Sequence, residues 1–417
     1  MKFEAPKGTR DILPDEMKKY NAVMAKLRAV YERFGFQPLD TPAFENFGLF
    51  ASKGGLGDSV KDELYYFKDK SDRELALRFE FTASLARVIS NNTNLPKPFK
   101  RYQIDKVWRY DNPQAMRWRE FRQADVDIVG SASPLADVEC LAVAVECLKE
   151  LGFKEFMIRI NDRKLVDEML SSFKIIKVKD AFRIIDKLDK IGIDGVKKEL
   201  KENDIETKNI EKMLSTKGTN SEILAELEKK YKEVNTLKEI LSYAKYIGID
   251  KYLKLDLSLV RGLAYYTGPV FEVSLGANVS CGGGGRFDNL IKTMGGPELP
   301  ATGISFGVDR VVSVMIERGM FKDELKNEIF LVSVNDSVRD EVMKICNQLR
   351  TEGISADFDL MGRPLSKQLQ YANSLGISYV AVISDKELKE KTVKIKNMKT
   401  GEEKSVKIKE ISKSIGQ

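Results

Sequence analysis

Apolar positions in the first third of the chain change period several times. Between 15 and 34, Met17, Tyr20, Met24, Leu27, Val30, Tyr31 and Phe34 recur every three or four residues. That spacing predicts a helix capped by Asp15 and stopped by Gly35. Residues 36–44 (FQPLDTPAF) read as extended, with Pro38 and Pro42 placing the stretch at an edge or interface. Residues 51–62 carry Gly54, Gly55 and Gly57 and read as a loop. Short strands follow at 63–70 and 76–80, then a helix over 81–91 beginning near Thr82. Alternation at 101–110 and 120–129 predicts an antiparallel hairpin around a long polar loop, 111–119. An amphipathic helix at 134–151 and a strand at 153–160 complete this part.

The pattern then shifts. Residues 164–250 are rich in Lys and Glu, poor in Gly and aromatics, and helical in period, as in ILAELEKKYK at 223–232. They read as a helical insertion between the two parts of one domain, 1–163 and 251–322. Sheet-like spacing resumes at Leu253, and 301–319 reads as a strand running into a helix at Val308. Beyond a charged linker at 322–328, strand and helix patterns alternate, ending in a hairpin about Lys399, Thr400 and Gly401. This order predicts a separate α/β domain over 329–417.

Composition narrows the chemistry. The 417 residues are 42% hydrophobic and 32% charged, with no membrane-length apolar run and no signal-like N-terminus, so a cytoplasmic protein without membrane association is expected. No histidine occurs in the chain. Ser-His-Asp triads, histidine acid–base catalysis and histidine-ligated metals are therefore excluded. Cys140, Cys147, Cys281 and Cys346 form no Cys-x-x-Cys pair, so no metal site built on protein histidine or cysteine is expected. Cys140 and Cys147 read as core residues. A net charge of +6 permits a polyanionic partner without locating it.

Candidate chemistry gathers around 259–288, LVRGLAYYTGPVFEVSLGANVSCGGGGRFD. Taken alone, the glycine run reads as a hairpin with a tight turn, and the flanking Arg286 suggests an anionic ligand. No Gly-Lys-Ser/Thr follows, so it is not a P-loop. Three further arginine sites fall at strand ends or on the hairpin loop: Arg109 with Arg117 and Arg119, Arg261, and Arg310. One such arginine is ordinarily a surface ion pair, but several converging would make a polyphosphate clamp.

Several motifs occur in an order that resembles the histidyl-tRNA synthetases, a family of class II (class IIa) aminoacyl-tRNA synthetases. PKGTRDILP near the N-terminus, VWRYDNPQAMRWREFRQADVDIVG at 107–130, LVRGLAYYTG, CGGGGRFD and GISFGVDR at 303–310 carry the likeness. The resemblance implies an α+β catalytic domain, an antiparallel class II sheet with flanking helices, interrupted by the helical insertion and followed by an α/β anticodon-binding domain. It also implies the activity of a histidine–tRNA ligase: ATP, with Mg²⁺, and histidine form histidyl-adenylate, and the histidyl group passes to histidine tRNA. A homodimer through the first class II motif is expected.

By the same resemblance, Arg109 and Arg261 are catalytic. Arg109, Asp111, Arg117 and Arg310 bind ATP. Glu80, Thr82 and Gln123 receive the α-amino group, Asp127 and Tyr266 address the imidazole nitrogens, and Arg261 and Tyr265 complete the histidine site. Gly283, Gly284 and Phe287 line the pocket, and Gln114 meets the tRNA acceptor end. Phe358, Arg363 and Lys367 are candidate anticodon contacts. Ala264 stands where many members have Asp, and Phe287 where many have Tyr. Alternatives are a non-catalytic paralogue acting as regulatory subunit of ATP phosphoribosyltransferase, another class IIa synthetase, and a tRNA-binding adaptor.

Overall fold

The two alternating runs form strands Phe99–Trp108 and Glu120–Val129. In the computed structural model, which describes residues 3–51, 62–112, 116–260, 265–276, 279–321 and 328–415, they pair antiparallel from Phe99 opposite Val129 to Trp108 opposite Glu120. Period-2 alternation turns Ala124, Val126 and Ile128 into the core, where helices Pro14–Arg33 and Pro134–Glu150 pack with Leu27, Val30, Leu141 and Leu148. Fully burying each such aliphatic side chain stabilises by about 1.5–3 kcal/mol. The opposite face carries Gln123, Asp125 and Asp127, and the active-site candidates lie there.

These strands belong to an eight-stranded sheet. Its order is Gln37–Pro38, Phe99–Trp108, Glu120–Val129, Ala301–Gly307, Ser280–Arg286, Pro269–Ser274, Met157–Asp162 and Leu253–Leu255. The interior pairs are antiparallel, and the outermost pair at each edge is parallel.

Local chemistry corrects several expectations. The first helix is Pro14–Arg33, with Leu13 at its cap and no side-chain cap. Asp15 lies inside the first turn, because Pro14 has no N–H to lose and its fixed φ suits the first helical position. The extended stretch 36–44 is not one strand. Gln37–Pro38 joins the large sheet, and Phe44–Asn46 joins a three-stranded sheet with Glu74–Leu77 and Tyr66–Lys68. Pro38 and Pro42 cannot donate to a ladder, so the chain changes sheets between them. The strand expected at 153–160 is Met157–Asp162, with Phe153 and Phe156 buried ahead of it.

Residues 164–250 are helical as expected, with helices such as Val178–Ile185, Leu188–Glu202 and Asn235–Tyr246. Phe182, Ile184, Leu237 and Ile240 share one core with the sheet. The chain divides into two compact units, Met1–Phe321 and Lys322–Gln417. The second has its own sheet, ordered Ser355–Phe358, Glu328–Ser333, Tyr379–Ile383, Thr392–Asn397 and Glu403–Lys407. Its first three strands are parallel, its last two form the terminal hairpin, and Ile329, Leu331, Val342 and Ala381 lie in its core. Among the described residues no helix is long and apolar enough to cross a membrane.

Candidate active site

Cross-strand register builds one end of the site in rows. Asp127 lies between Arg101 on one neighbouring strand and Gly303 on the other. Arg101 is fully buried, and its Nη2 is 2.5 Å from Asp127 Oδ2. A Cβ at Gly303 would overlap Asp127 Oδ1, so only glycine leaves room for the carboxylate. Burial pushes the Asp127 carboxyl up to about 6; Arg101 opposes the rise and Glu80 adds to it.

In the next row Asp125 lies opposite Ser305, which lies opposite Gly283. Ser305 Oγ donates to Asp125 Oδ1, and Gln123 Nε2 donates to Ser305 Oγ at 3.0 Å. Burial pushes the Asp125 carboxyl up to about 8, opposed by Arg101 and reinforced by Asp127.

Glu80 precedes the helix Thr82–Asn91 and accepts from the N–H groups of Thr82 at 2.5 Å and Ala83 at 2.7 Å. Those bonds fix the carboxylate and satisfy two donors at the helix start. Its oxygens keep lone pairs for a further donor. Tyr265 packs 4.8 Å from Tyr266 and 5.9 Å from Phe287, ring centre to ring centre. Burial holds the Tyr265 hydroxyl well above its ordinary pKa, so it stays neutral.

The arginines line the same cleft, with Arg109 close enough to Glu80 to feel its charge. Arg109 lies 4.2 Å over the Phe79 ring and 5.2 Å from Phe121, and its Nε donates to Phe79 O. Burial lowers its pKa, while Glu80 and Tyr265 act the other way. Arg310 Nη1 donates to Ser280 O at 2.7 Å. Its pKa is lowered first by burial and then by the positive charge of Arg117. Arg117 reaches Asp111 at 3.3 Å. Two cations that repel in a concave site are relieved by an anion between them.

A cleft of about 1320 Å³ takes in both ends. Glu80, Thr82, Arg109, Asp111, Arg117, Gln123, Asp127, Tyr265, Tyr266, Gly283, Gly284, Phe287 and Arg310 all line it. Arg261 and Ala264, and Gln114 of the hairpin loop, lie outside the described residues, as do 52–61 of the loop expected at 51–62. Residues 164–250 contribute Asp186, Leu188, Asp189 and Lys190 to the cleft wall. Arg159 ties this wall down, contacting Glu272, Asp256 at 3.4 Å and Asp189 at 2.9 Å.

The glycine run departs from its first reading. Ser280–Arg286 is an interior strand, not a tight turn, and a Cβ at Gly284 would overlap the Gly303 carbonyl. Arg286 does not serve an anionic ligand. Its guanidinium is buried against Asp137 at 2.5 Å and donates to the carbonyls of Ser131 and Ser133. It fastens the strand to the start of the helix Pro134–Glu150. Sequence reasoning missed Arg101, Asp125 and Ser305. Arg101 was within reach, because the hairpin register sets it opposite Asp127; the pairing of Asp125 with Ser305, 180 residues away, has no local signal.

Comparison with known proteins agrees with this geometry. The family model described as histidyl-tRNA synthetase matches residues 8–311, and that described as anticodon binding domain matches 328–417. A histidine–tRNA ligase of Methanococcus maripaludis strain C7 is 39% identical, covering 98% of this chain and 99% of its own. That of Thermococcus kodakarensis is 36% identical over 97% of this chain and 96% of its own. The crystal structure of histidyl-tRNA synthetase from Nostoc sp. PCC 7120 superposes with a TM-score of 0.86 at 29% identity, covering 100% of this chain and 99% of that one. A Bacillus halodurans structure described as ATP phosphoribosyltransferase regulatory subunit/histidyl-tRNA synthetase, 23% identical with a TM-score of 0.75, covers 88% of this chain and 96% of its own and shares the fold. The full-length ligase relatives do not favour the regulatory-subunit reading. The chain belongs to the histidyl-tRNA synthetase family: it is a histidine–tRNA ligase, with a class II catalytic part and an anticodon-binding domain, and it uses ATP as substrate.

Proposed function

We propose that the two ends of the cleft divide the substrates of adenylate formation between them. The observation that supports this is that one cavity is bordered both by the buried carboxylates Glu80 and Asp127 and by the guanidinium groups of Arg109, Arg117 and Arg310. Glu80, Thr82 and Gln123 take the α-ammonium. Asp127 and Tyr266 take the imidazole nitrogens, and the aromatic cluster of Tyr265 and Phe287 closes the ring site. Polar readout of this kind rejects analogues strongly, because a missing partner leaves buried groups unpaired.

The substrate carboxylate then attacks the α-phosphate in line. A new O–P bond forms, the bond to the bridging oxygen breaks, and pyrophosphate leaves with that electron pair. The nucleophile is already an anion, so the step needs no proton transfer and a chain without histidine can perform it. It needs alignment and charge neutralisation. Arg109, stacked between Phe79 and Phe121, and Arg261 neutralise the α-phosphate; Arg117 and Arg310 hold the γ end; Asp111 lies by the adenine edge. Mg²⁺ would need one or two carboxylates of the cleft beside the nucleotide. Glu63, which borders the cleft and whose pKa is raised first by burial and second by the neighbouring charge of Asp111, would hold such an ion. The ion would supply further neutralisation of phosphate charge.

In the same reading Gln114 meets the tRNA acceptor end, and residues 164–250 form an insertion domain between 1–163 and 251–322. Phe358, Arg363 and Lys367 face anticodon bases, with Arg363 stacked 4.2 Å over Tyr371. The protein works as a cytoplasmic homodimer. The test is histidine-dependent exchange of labelled pyrophosphate into ATP with Arg261→Ala. Loss of exchange with histidine binding largely retained supports the assignment; unchanged exchange would overturn it.

A further inference from the structure

We propose that Ser305 and Asp125 form a positioning relay that fixes the side-chain amide of Gln123, so that the pocket presents an acceptor, not a donor, to the substrate's α-ammonium. This rests on the reading of Gln123 as an ammonium partner and adds the residues that make it one.

Hydrogen-bond direction sets the orientation of the amide. A serine hydroxyl has a single proton to give. Here Ser305 gives it to Asp125 Oδ1, which accepts whether the carboxyl is ionised or carries its proton on Oδ2, so toward Gln123 the hydroxyl can only accept. Gln123 must then turn its NH₂ to Ser305, and Nε2 donates at 3.0 Å. The amide carbonyl is left facing away from the relay. Gln123 Oε1 is buried and has no hydrogen-bond partner among the described residues. An unpaired buried acceptor costs about 1–3 kcal/mol, and a bound donor removes that cost. Gln123, Ser305 and Asp125 all border the cleft.

Register explains why the three meet. Gln123 and Asp125 are two apart on one strand and share its cleft face, and Ser305 is the cross-strand partner of Asp125. On the other strand Gly303 and Gly307, opposite Asp127 and Gln123, carry no side chain. Ser305 is therefore the one group on that strand's 303–307 cleft face that can set the amide's direction. Without its hydroxyl the amide can rotate and present NH₂ to an ammonium, which repels it.

The test is a cycle of Ser305→Ala, Ser305→Thr, Gln123→Leu and Ser305→Ala with Gln123→Leu, read by histidine-dependent pyrophosphate exchange. Ser305→Ala is expected to raise KM for histidine roughly tenfold, the scale of one hydrogen bond to a charged group, and to leave KM for ATP unchanged. Ser305→Thr, which keeps the hydroxyl, is expected to restore it. In the Gln123→Leu background Ser305→Ala is expected to cost nothing further. Thermal melting of each variant separates misfolding from this pattern. If Gln123→Leu leaves KM for histidine unchanged, the underlying reading of Gln123 fails. If Gln123→Leu raises it but Ser305→Ala does not, or if Ser305→Ala costs as much without Gln123, the relay is overturned.

Discussion

The two ends of the cleft are built differently. At the end proposed for the amino acid, three polar side chains stand on a strand or at a helix start and are placed by their neighbours: Asp127 between Arg101 and Gly303, Gln123 by Ser305, Glu80 by the amides of Thr82 and Ala83. At the end proposed for the phosphates, Arg109 follows the strand Phe99–Trp108, Arg117 precedes the strand Glu120–Val129, and Arg310 lies in the first turn of the helix Val308–Glu317. Arg117 is partly exposed and pairs with Asp111 at 3.3 Å, and Arg310 holds a carbonyl. A small substrate distinguished by two ring nitrogens needs rigid, directional partners. A flexible triphosphate needs charge, and guanidinium groups supply it over a range of positions. On the proposed assignment, the difference teaches that specificity comes from register and neutralisation from reach.

Perturbing the first kind of site should cost more than perturbing the second. Arg101→Met leaves the Asp127 carboxylate buried without its counter-charge, and breaking such a pair costs about 3–5 kcal/mol; a drop of that size in urea-unfolding free energy is expected. Gly303→Ala places a methyl on Asp127 Oδ1. Histidine-dependent pyrophosphate exchange is expected to fall at least ~100-fold in kcat/KM, with KM for ATP within about threefold of the parent. Arg310→Ala should do the reverse, raising KM for ATP roughly tenfold with little change for histidine.

The smallest effect concerns pH. Asp125 has an ordinary pKa of 3.8 and is pushed up to about 8 when folded. The folded protein therefore holds this proton more tightly than the unfolded chain, and its stability falls as pH rises from about 4 to about 8. Asp125→Asn cannot ionise. The loss of urea stability between pH 5 and pH 9 should be smaller in that variant than in the parent; an equal or larger loss would show that Asp125 does not titrate this way.

The sequence disclosed the amino-acid end unevenly. Alternation placed Gln123 and Asp127 on one strand face, and the family motifs named both. Their supports were less legible. Arg101 could be paired with Asp127 only once the hairpin register was known, and Ser305 reaches Asp125 from a distant motif. Arg286 shows the opposite failure: an arginine after four glycines suggested a ligand, but Asp137, from the start of another helix, takes its charge. Local pattern also misplaced the first helix cap at Asp15, where the geometry of Pro14 decides, and joined two strands across Pro38 and Pro42. In each case the deciding partner was either a proline's missing donor or a residue far along the chain.

The division of the cleft is tested most directly by calorimetric titration of histidine and of ATP, separately, into Gly303→Ala and Arg310→Ala. The account predicts a crossed result: histidine affinity lost and ATP affinity kept in the first, ATP affinity weakened and histidine affinity kept in the second. If both ligands weaken together in both folded variants, the two ends are not separately built and the account is contradicted.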